Sequence, residues 1–166
     1  YKWVPSNYYD HPLEQRAVML GCDTMQMCKT MVVENTACPH DACSDVTDSR
    51  YYCVVVQYKG KVNSEKVMRC IRGLRPEAKR LPKSRVNIQF APEAVANKLA
   101  GFQHNAVTPF GLLNAIPIIL ASPIADLPYM WMGAGHVDLK LGMAVRDFVA
   151  AVSPIVGDVS DPLKGG

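Results

Sequence analysis

An α+β fold built on a mixed sheet is what this sequence predicts, and three observations carry that prediction. Strand-like and helix-like segments are interspersed irregularly, without the alternating βαβ rhythm that builds a purely parallel sheet. Residues 51–58, Tyr-Tyr-Cys-Val-Val-Val-Gln-Tyr, are almost continuously apolar, as a central strand covered on both faces must be. Late in the chain, Val137, Leu139 and Leu141 alternate with Asp138 and Lys140, the period of a strand with one apolar face.

Taken in order, residues 1–11 are aromatic and turn-rich, and Trp3, Tyr8 and Tyr9 are expected to pack on the domain as an N-terminal arm. Pro12 suits the first position of a helix whose apolar face is Leu13, Ala17 and Leu20, with Gly21 at its C-terminal cap. Residues 28–34 read as a strand, since Thr30, Val32 and Val33 are β-branched. Residues 35–50 are polar and read as a long surface loop before the central strand at 51–58. Lys59-Gly60-Lys61 turns the chain, and Asn63 is placed to cap a helix to about Gly73 with Val67, Cys70, Ile71 and Leu74 on one stripe. After a basic linker from Arg75 to Ser84, a strand is expected over 85–90 and a helix from Pro92 to Leu99. Ile116 to Leu120 reads as a buried strand. Two more strands, 129–132 and 137–141, flank a turn at Gly133 to Gly135. Val145, Phe148, Val149 and Val152 mark a last amphipathic helix.

At 166 residues, 49% apolar and 20% charged, the chain is long enough for one core of its own. A single domain is expected over residues 1–156, followed by a polar tail or linker at 157–166. The longest apolar run, Leu112 to Ala125, is interrupted by Asn114, Pro117, Ser122 and Pro123, so no membrane span is expected. No basic-then-apolar segment opens the chain, and a cytoplasmic location is the expectation. Cysteines stand at positions 22, 28, 38, 43, 53 and 70. Cys28, Cys53 and Cys70 lie in apolar periodic segments, where a thiol behaves as a small hydrophobe. Cys38-Pro-His-Asp-Ala-Cys43 offers two thiols and an imidazole, but no second ligand pair stands at structural-zinc spacing, and reduced thiols without metal are expected.

A net charge of +3 does not by itself announce nucleic acid. The distribution is uneven: Arg69, Arg72, Arg75, Lys79, Arg80, Lys83 and Arg85 cluster, while acidic residues gather between Asp41 and Asp48. Such a basic run is either a solvated face or a contact for a phosphate backbone.

Residues 101–111, Gly-Phe-Gln-His-Asn-Ala-Val-Thr-Pro-Phe-Gly, are the stretch where chemistry is expected. Gly and Asn tolerate positive φ and Pro fixes φ, so the loop either turns several N–H groups toward one concave point or merely connects helix to strand. Lys29 is a cation within an otherwise apolar strand; it either snorkels to solvent or faces a pocket. His104 and His136 lie near the two glycine-bounded turns, and neither has a nucleophile motif beside it. Strand alternation turns Cys28 away from Lys29, which makes that thiol structural.

Asn105-Ala106-Val107-Thr108-Pro109-Phe110-Gly111 resembles the Gly-Gly-Val-Ser-Pro-Phe-Gly loop of the YbaK/ProX family, the aminoacyl-tRNA deacylases related to the editing domain of bacterial prolyl-tRNA synthetases. Cys28-Lys29-Thr30-Met31-Val32-Val33 resembles the segment with the family's lysine, and Gly133-Ala134-Gly135-His136-Val137-Asp138 resembles its late glycine-rich turn. The three occur in family order, and the resemblance runs from about Pro12 to Pro154. It implies a curved, barrel-like mixed sheet flanked by helices. It implies Lys29, Asn105, Ala106, Val107, Thr108 and Pro109 as the catalytic set, with Gly101, Phe110, Gly111, Gly133, Gly135 and His136 around the substrate. It also implies that Lys79, Arg80 and Lys83 touch tRNA. The activity implied is hydrolysis of mischarged aminoacyl-tRNA, with alanine or cysteine on tRNA(Pro) as substrate, and no cofactor. The other function class is a tRNA-binding or assembly module without catalysis, appended to or associated with an aminoacyl-tRNA synthetase.

Overall fold

A computed structural model describes residues 1–102 and 106–163. In chain order its elements are β1 (Lys2–Trp3), α1 (Leu13–Leu20), β2 (Cys28–Asn35), β3 (Tyr51–Gln57), β4 (Gly60–Val62), α2 (Ser64–Gly73), β5 (Ile88–Phe90), α3 (Glu93–Ala100), β6 (Ile118–Ala121), α4 (Ser122–Ala125), β7 (Tyr129–Gly133), β8 (Leu139–Ala144), α5 (Val145–Val152), β9 (Ile155–Gly157) and β10 (Ser160–Pro162). The class is α+β with a mixed sheet, as expected.

The main sheet has the order β5-β2-β3-β6-β9. Its β5-β2 and β2-β3 pairs are antiparallel, and its β3-β6 and β6-β9 pairs are parallel. Strand β3 is therefore central. Tyr52 through Val56 are fully buried, which is why that segment carries no polar alternation. One face packs on Val67 and Ile71 of α2 and on Val145 and Phe148 of α5. On the other, Val32, Cys53 and Ile116 meet Ala96 and Leu99 of α3. A second sheet, β1-β8-β7, is antiparallel. It joins the first through a bridge between Met27 and Trp131. A third pairs β10 with β4. Among the described residues none of these sheets closes into a barrel, so the barrel-like sheet that the resemblance implies is not formed as a closed one.

Some expected boundaries move, each for a local reason. The strand expected from Arg85 starts at Ile88, because Lys83–Arg85 form a 3₁₀ turn behind Pro82. The strand expected from Ile116 starts at Ile118, after Pro117, whose carbonyl accepts from the Cys53 N–H at 2.8 Å. The strand expected from Val137 starts at Leu139, because the Leu139 N–H closes a turn onto the His136 carbonyl at 3.0 Å. Lys59-Gly60-Lys61 is not only a turn: Gly60 opens β4. Gly157 does not begin a free tail. It ends β9, Val159 is fully buried, and β10 returns along β4. Short strands of two or three residues carry too little periodicity to be read from sequence. No helix among the described residues is long and apolar enough to cross a membrane.

Asn63 ties this C-terminal return to the core. Its side-chain oxygen caps α2 by accepting from the Lys66 N–H at 3.1 Å, and its amide donates to Asp161 at 2.7 Å. Lys66 adds ion pairs to Asp158 and Asp161 at 2.9 and 2.8 Å. Asn63→Ala is expected to lower stability by about 1–2 kcal/mol, read as a fall in the urea midpoint with an unchanged slope. An unchanged midpoint would show that neither cap nor tie contributes.

Candidate functional site

A cavity of about 380 Å³ lies between β2, β7, β8, the start of α3 and the N-terminal arm. Lys29 lines it from β2. The side chain is half-buried, and its Nζ stands 5.9 Å from the ring centre of Tyr58. Loss of hydration lowers its pKa from the ordinary lysine value. Its neighbour Cys28 is buried, and burial pushes the thiol pKa up to about 12, so the sulfur stays protonated and inert near neutrality.

The central loop reaches the cavity through Val107. Its backbone is held against the end of β7: the Gly135 N–H donates to the Ala106 carbonyl at 3.1 Å. A Cβ on Gly133 would stand 2.9 Å from the Val107 carbonyl oxygen, so only glycine permits this approach. Ala106, Thr108 and Pro109 are buried. The Thr108 hydroxyl accepts from the Phe110 N–H at 3.4 Å, a turn within the loop itself. Phe110 packs edge-to-face on Phe148, with ring centres 5.6 Å apart. Thr108, Pro109 and Phe110 therefore anchor the loop rather than line the cavity.

The remaining expected residues divide. Gly133 lines the cavity; Gly101, Gly111 and Gly135 do not, and serve as left-handed turns at φ 76°, 66° and 87°. Gly101 is also the C-terminal cap of α3. His136 is exposed, stacks edge-on against Trp3 at 5.2 Å, and accepts from the Asp138 N–H at 3.1 Å through Nδ1. It does not line the cavity. Asn105, expected at the catalytic loop, and His104 lie outside the described residues. Lys79, Arg80 and Lys83 are exposed beside the basic linker. The neighbouring Arg75 and Arg85 are committed elsewhere, pairing with Asp45 and Asp48 at 3.2 and 3.1 Å. The basic and acidic runs of the sequence thus meet in space.

Sequence reasoning missed the wall formed by Lys140 and the tyrosines. Lys140, read as the polar face of a strand, is only 4% exposed and lines the cavity. Its Nζ donates to the Tyr9 hydroxyl and the Val137 carbonyl, both at 2.8 Å, and lies 4.6 Å from the Tyr9 ring centre. Burial lowers its pKa to about 8. Tyr8, Tyr9 and Tyr58 complete the wall, with the Arg16 guanidinium over all three rings and a hydrogen bond between Tyr9 and Tyr58. The available signal was the aromatic arm itself, which was expected to pack on the domain without a partner being named.

The family model of the aminoacyl-tRNA editing domain matches residues 11–151. No curated protein matches the chain. Among solved structures, one described as "a putative trans-editing enzyme for prolyl tRNA synthetase" superposes with a TM-score of 0.74 at 17% identity, covering 96% of this chain and 85% of that one. A scaffold protein from computational epitope grafting gives 0.73 at 16%, covering 98% and 86%. The hypothetical protein APE2540 gives 0.67 at 20%, covering 90% and 83%. At these identities the structural likeness is one of fold.

The buried Lys140 makes a prediction about pH. Below about pH 8 the ammonium is charged in both folded and unfolded chains, and the folded form carries the desolvation penalty. Between about 8 and the ordinary 10.5 the folded state loses its proton first, so stability contributed by this residue rises with pH. Urea unfolding of wild type and Lys140→Met across that window should show wild type gaining on the variant by on the order of 3 kcal/mol. A difference that does not change with pH would mean that Lys140 is solvated.

Proposed function

The chain belongs to the aminoacyl-tRNA editing domain family, and we propose that it hydrolyses the ester of mischarged aminoacyl-tRNA. The observation that carries this reading is a cavity with a desolvated lysine on one wall and the Val107 loop on another. The cavity thiol, Cys28, is held protonated. An aminoacyl ester is already activated, and the vicinal ribose hydroxyl can assist water, so no protein nucleophile is required. The protein need only place the ester, stabilise the oxyanion and exclude wrong side chains. In this reading the Lys29 ammonium faces the developing oxyanion or the terminal adenosine's phosphate. The loop from Asn105 to Pro109 meets the ester through the backbone of Val107, the described loop residue that lines the cavity.

The finer reading is that alanine or cysteine is removed from tRNA(Pro), in cytoplasmic translation quality control, by the chain alone or beside an aminoacyl-tRNA synthetase. The trans-editing description of one structural neighbour supports that choice. The cavity's mixed aliphatic and aromatic lining supports a sieve by size, which admits a small side chain and refuses a larger one.

Release of amino acid from tRNA(Pro) charged with alanine, cysteine or proline tests both levels. Hydrolysis of the alanyl or cysteinyl ester with the prolyl ester spared is expected. No release above the buffer rate from any substrate would reject the deacylase. Lys29→Ala should fold normally and lose roughly tenfold to a thousandfold in rate; wild-type turnover would return Lys29 to a solvent-facing role.

The tRNA body is proposed to lie along Lys79, Arg80 and Lys83. Neutralising all three should weaken binding of charged and uncharged tRNA alike and flatten the salt dependence. Unchanged affinity and slope would make that cluster a solvated face.

A further inference from the structure

The loop between β2 and β3 holds a second cluster of reactive side chains, and none of them lines the cavity. Cys38 is 4% exposed, although it lies in a surface loop. Its Sγ lies 3.6 and 3.7 Å from the Nδ1 and Nε2 of His40, and 3.9 Å from Oδ1 of Asp48. The circuit closes with His40 Nε2 at 3.6 Å from Asp48 Oδ2. One ligand atom from each residue can be chosen so that all lie within 4.8 Å of one another.

We propose that Cys38, His40 and Asp48 form a binding site for a borderline-soft divalent cation of the zinc class. The spacing is the argument. With metal–sulfur near 2.3 Å and metal–nitrogen or metal–oxygen near 2.0–2.1 Å, neighbouring donors at a tetrahedral ion stand roughly 3.3–3.6 Å apart. Sγ stands 3.6 Å from the nearer His40 nitrogen and 3.9 Å from Asp48 Oδ1, at or a few tenths of an ångström beyond that range, and one ligand atom from each of the three residues lies within 4.8 Å of the others, so an ion would have to draw the set together. The ligand types choose the class: thiolate and imidazole suit zinc, while magnesium and calcium take oxygen.

The loop is built to hold this arrangement. The Cys38 N–H donates to the Asn35 carbonyl at 3.1 Å, and Arg50 donates to the Cys38 carbonyl at 2.7 Å. Arg85 holds Asp48 Oδ2, the oxygen that also faces His40, at 3.1 Å, as an outer partner that orients a ligating carboxylate, while Oδ1 faces the sulfur. The sequence motif suggested Cys43 as the second thiol. Its Sγ is directed instead at the Asp41 carbonyl at 3.7 Å, and Asp48 takes the third place. Three protein ligands leave the fourth position to water. On binding, the Cys38 sulfur–hydrogen bond breaks, a metal–sulfur bond forms, and the proton passes to solvent. The ion would pin residues 36–50 between the two central strands. This site is independent of the proposed deacylation.

Titration of the reduced, metal-free full chain with Co(II), followed by displacement with Zn(II), tests the site. One equivalent should bind with a near-ultraviolet thiolate-to-cobalt band that Zn(II) removes. Cys38→Ser should abolish the band. His40→Ala, at a side chain 41% exposed and therefore safe for folding, should weaken affinity by about tenfold or more. Cys43→Ser should behave as wild type. The proposal is overturned if the wild-type chain shows no thiolate band, if His40→Ala binds as tightly as wild type, or if the band survives in Cys38→Ser and disappears in Cys43→Ser.

Discussion

Burying an ammonium is expensive unless its protons find acceptors, and the way Lys140 meets that demand shapes the cavity. Its donors go to the hydroxyl of Tyr9 and the carbonyl of Val137, and the rings of Tyr8 and Tyr9 lie over the charge. That places the N-terminal arm: β1 pairs with β8 at Lys2↔Lys140, and the aromatic residues behind it close the wall that the main sheet leaves open. Arg16, from α1, stacks on the same rings and adds a second positive charge beside them. The cavity is therefore lined by two cations, Lys29 from the main sheet and Lys140 from the small one. An anionic or oxyanionic ligand would meet the field of both, strengthened by their partial exclusion from water.

The other constraint is steric and belongs to the backbone. The loop after α3 approaches β7 so closely that Gly133 cannot carry a side chain, and the Gly135 N–H is committed to the Ala106 carbonyl. Phe110 is fixed on Phe148 beneath. The described part of the loop, residues 106–111, is thus held both by backbone contact with the β7 end and by its own Phe110 side chain. Rigid support of this kind is what a site that positions an ester requires.

What could be read from sequence followed the range of the signal. Helices α1, α2, α3 and α5 announced themselves by caps and apolar stripes within eight or ten residues, and β3 by a run with no polar interruption. Lys29 was legible because its segment carries a resemblance that chemistry alone left undecided. Lys140 was not, because alternation assigns it a face but says nothing of what covers that face, and its cover comes from residues 131 positions away. The strands β4, β9 and β10 escaped for the same reason: three residues each, defined by a partner rather than by a pattern. The pairing of the acidic loop with the basic linker was equally invisible. It decides which cations remain exposed on that face: Arg75 and Arg85 turn inward to aspartates, and Lys79, Arg80 and Lys83 stay out.

The same contacts bear on how a small side chain would be selected. Of the described loop residues 106–111, Val107 alone lines the cavity, while Thr108 is buried against the loop and uses its hydroxyl to hold the Phe110 N–H. Thr108, which stands where the resembling family commonly has serine, is buried and does not line the cavity. It has little means of narrowing the cavity. In the proposed reading a size limit would fall to Val107 together with Met31 from β2 and Trp131 and Met132 from β7. Trp131 is further constrained by Gly142, where a Cβ would come within 2.7 Å of the indole. The walls therefore belong to separate elements of two sheets, β2 and β7, with the loop at Val107. Selection by exclusion depends on walls that do not yield to a larger residue.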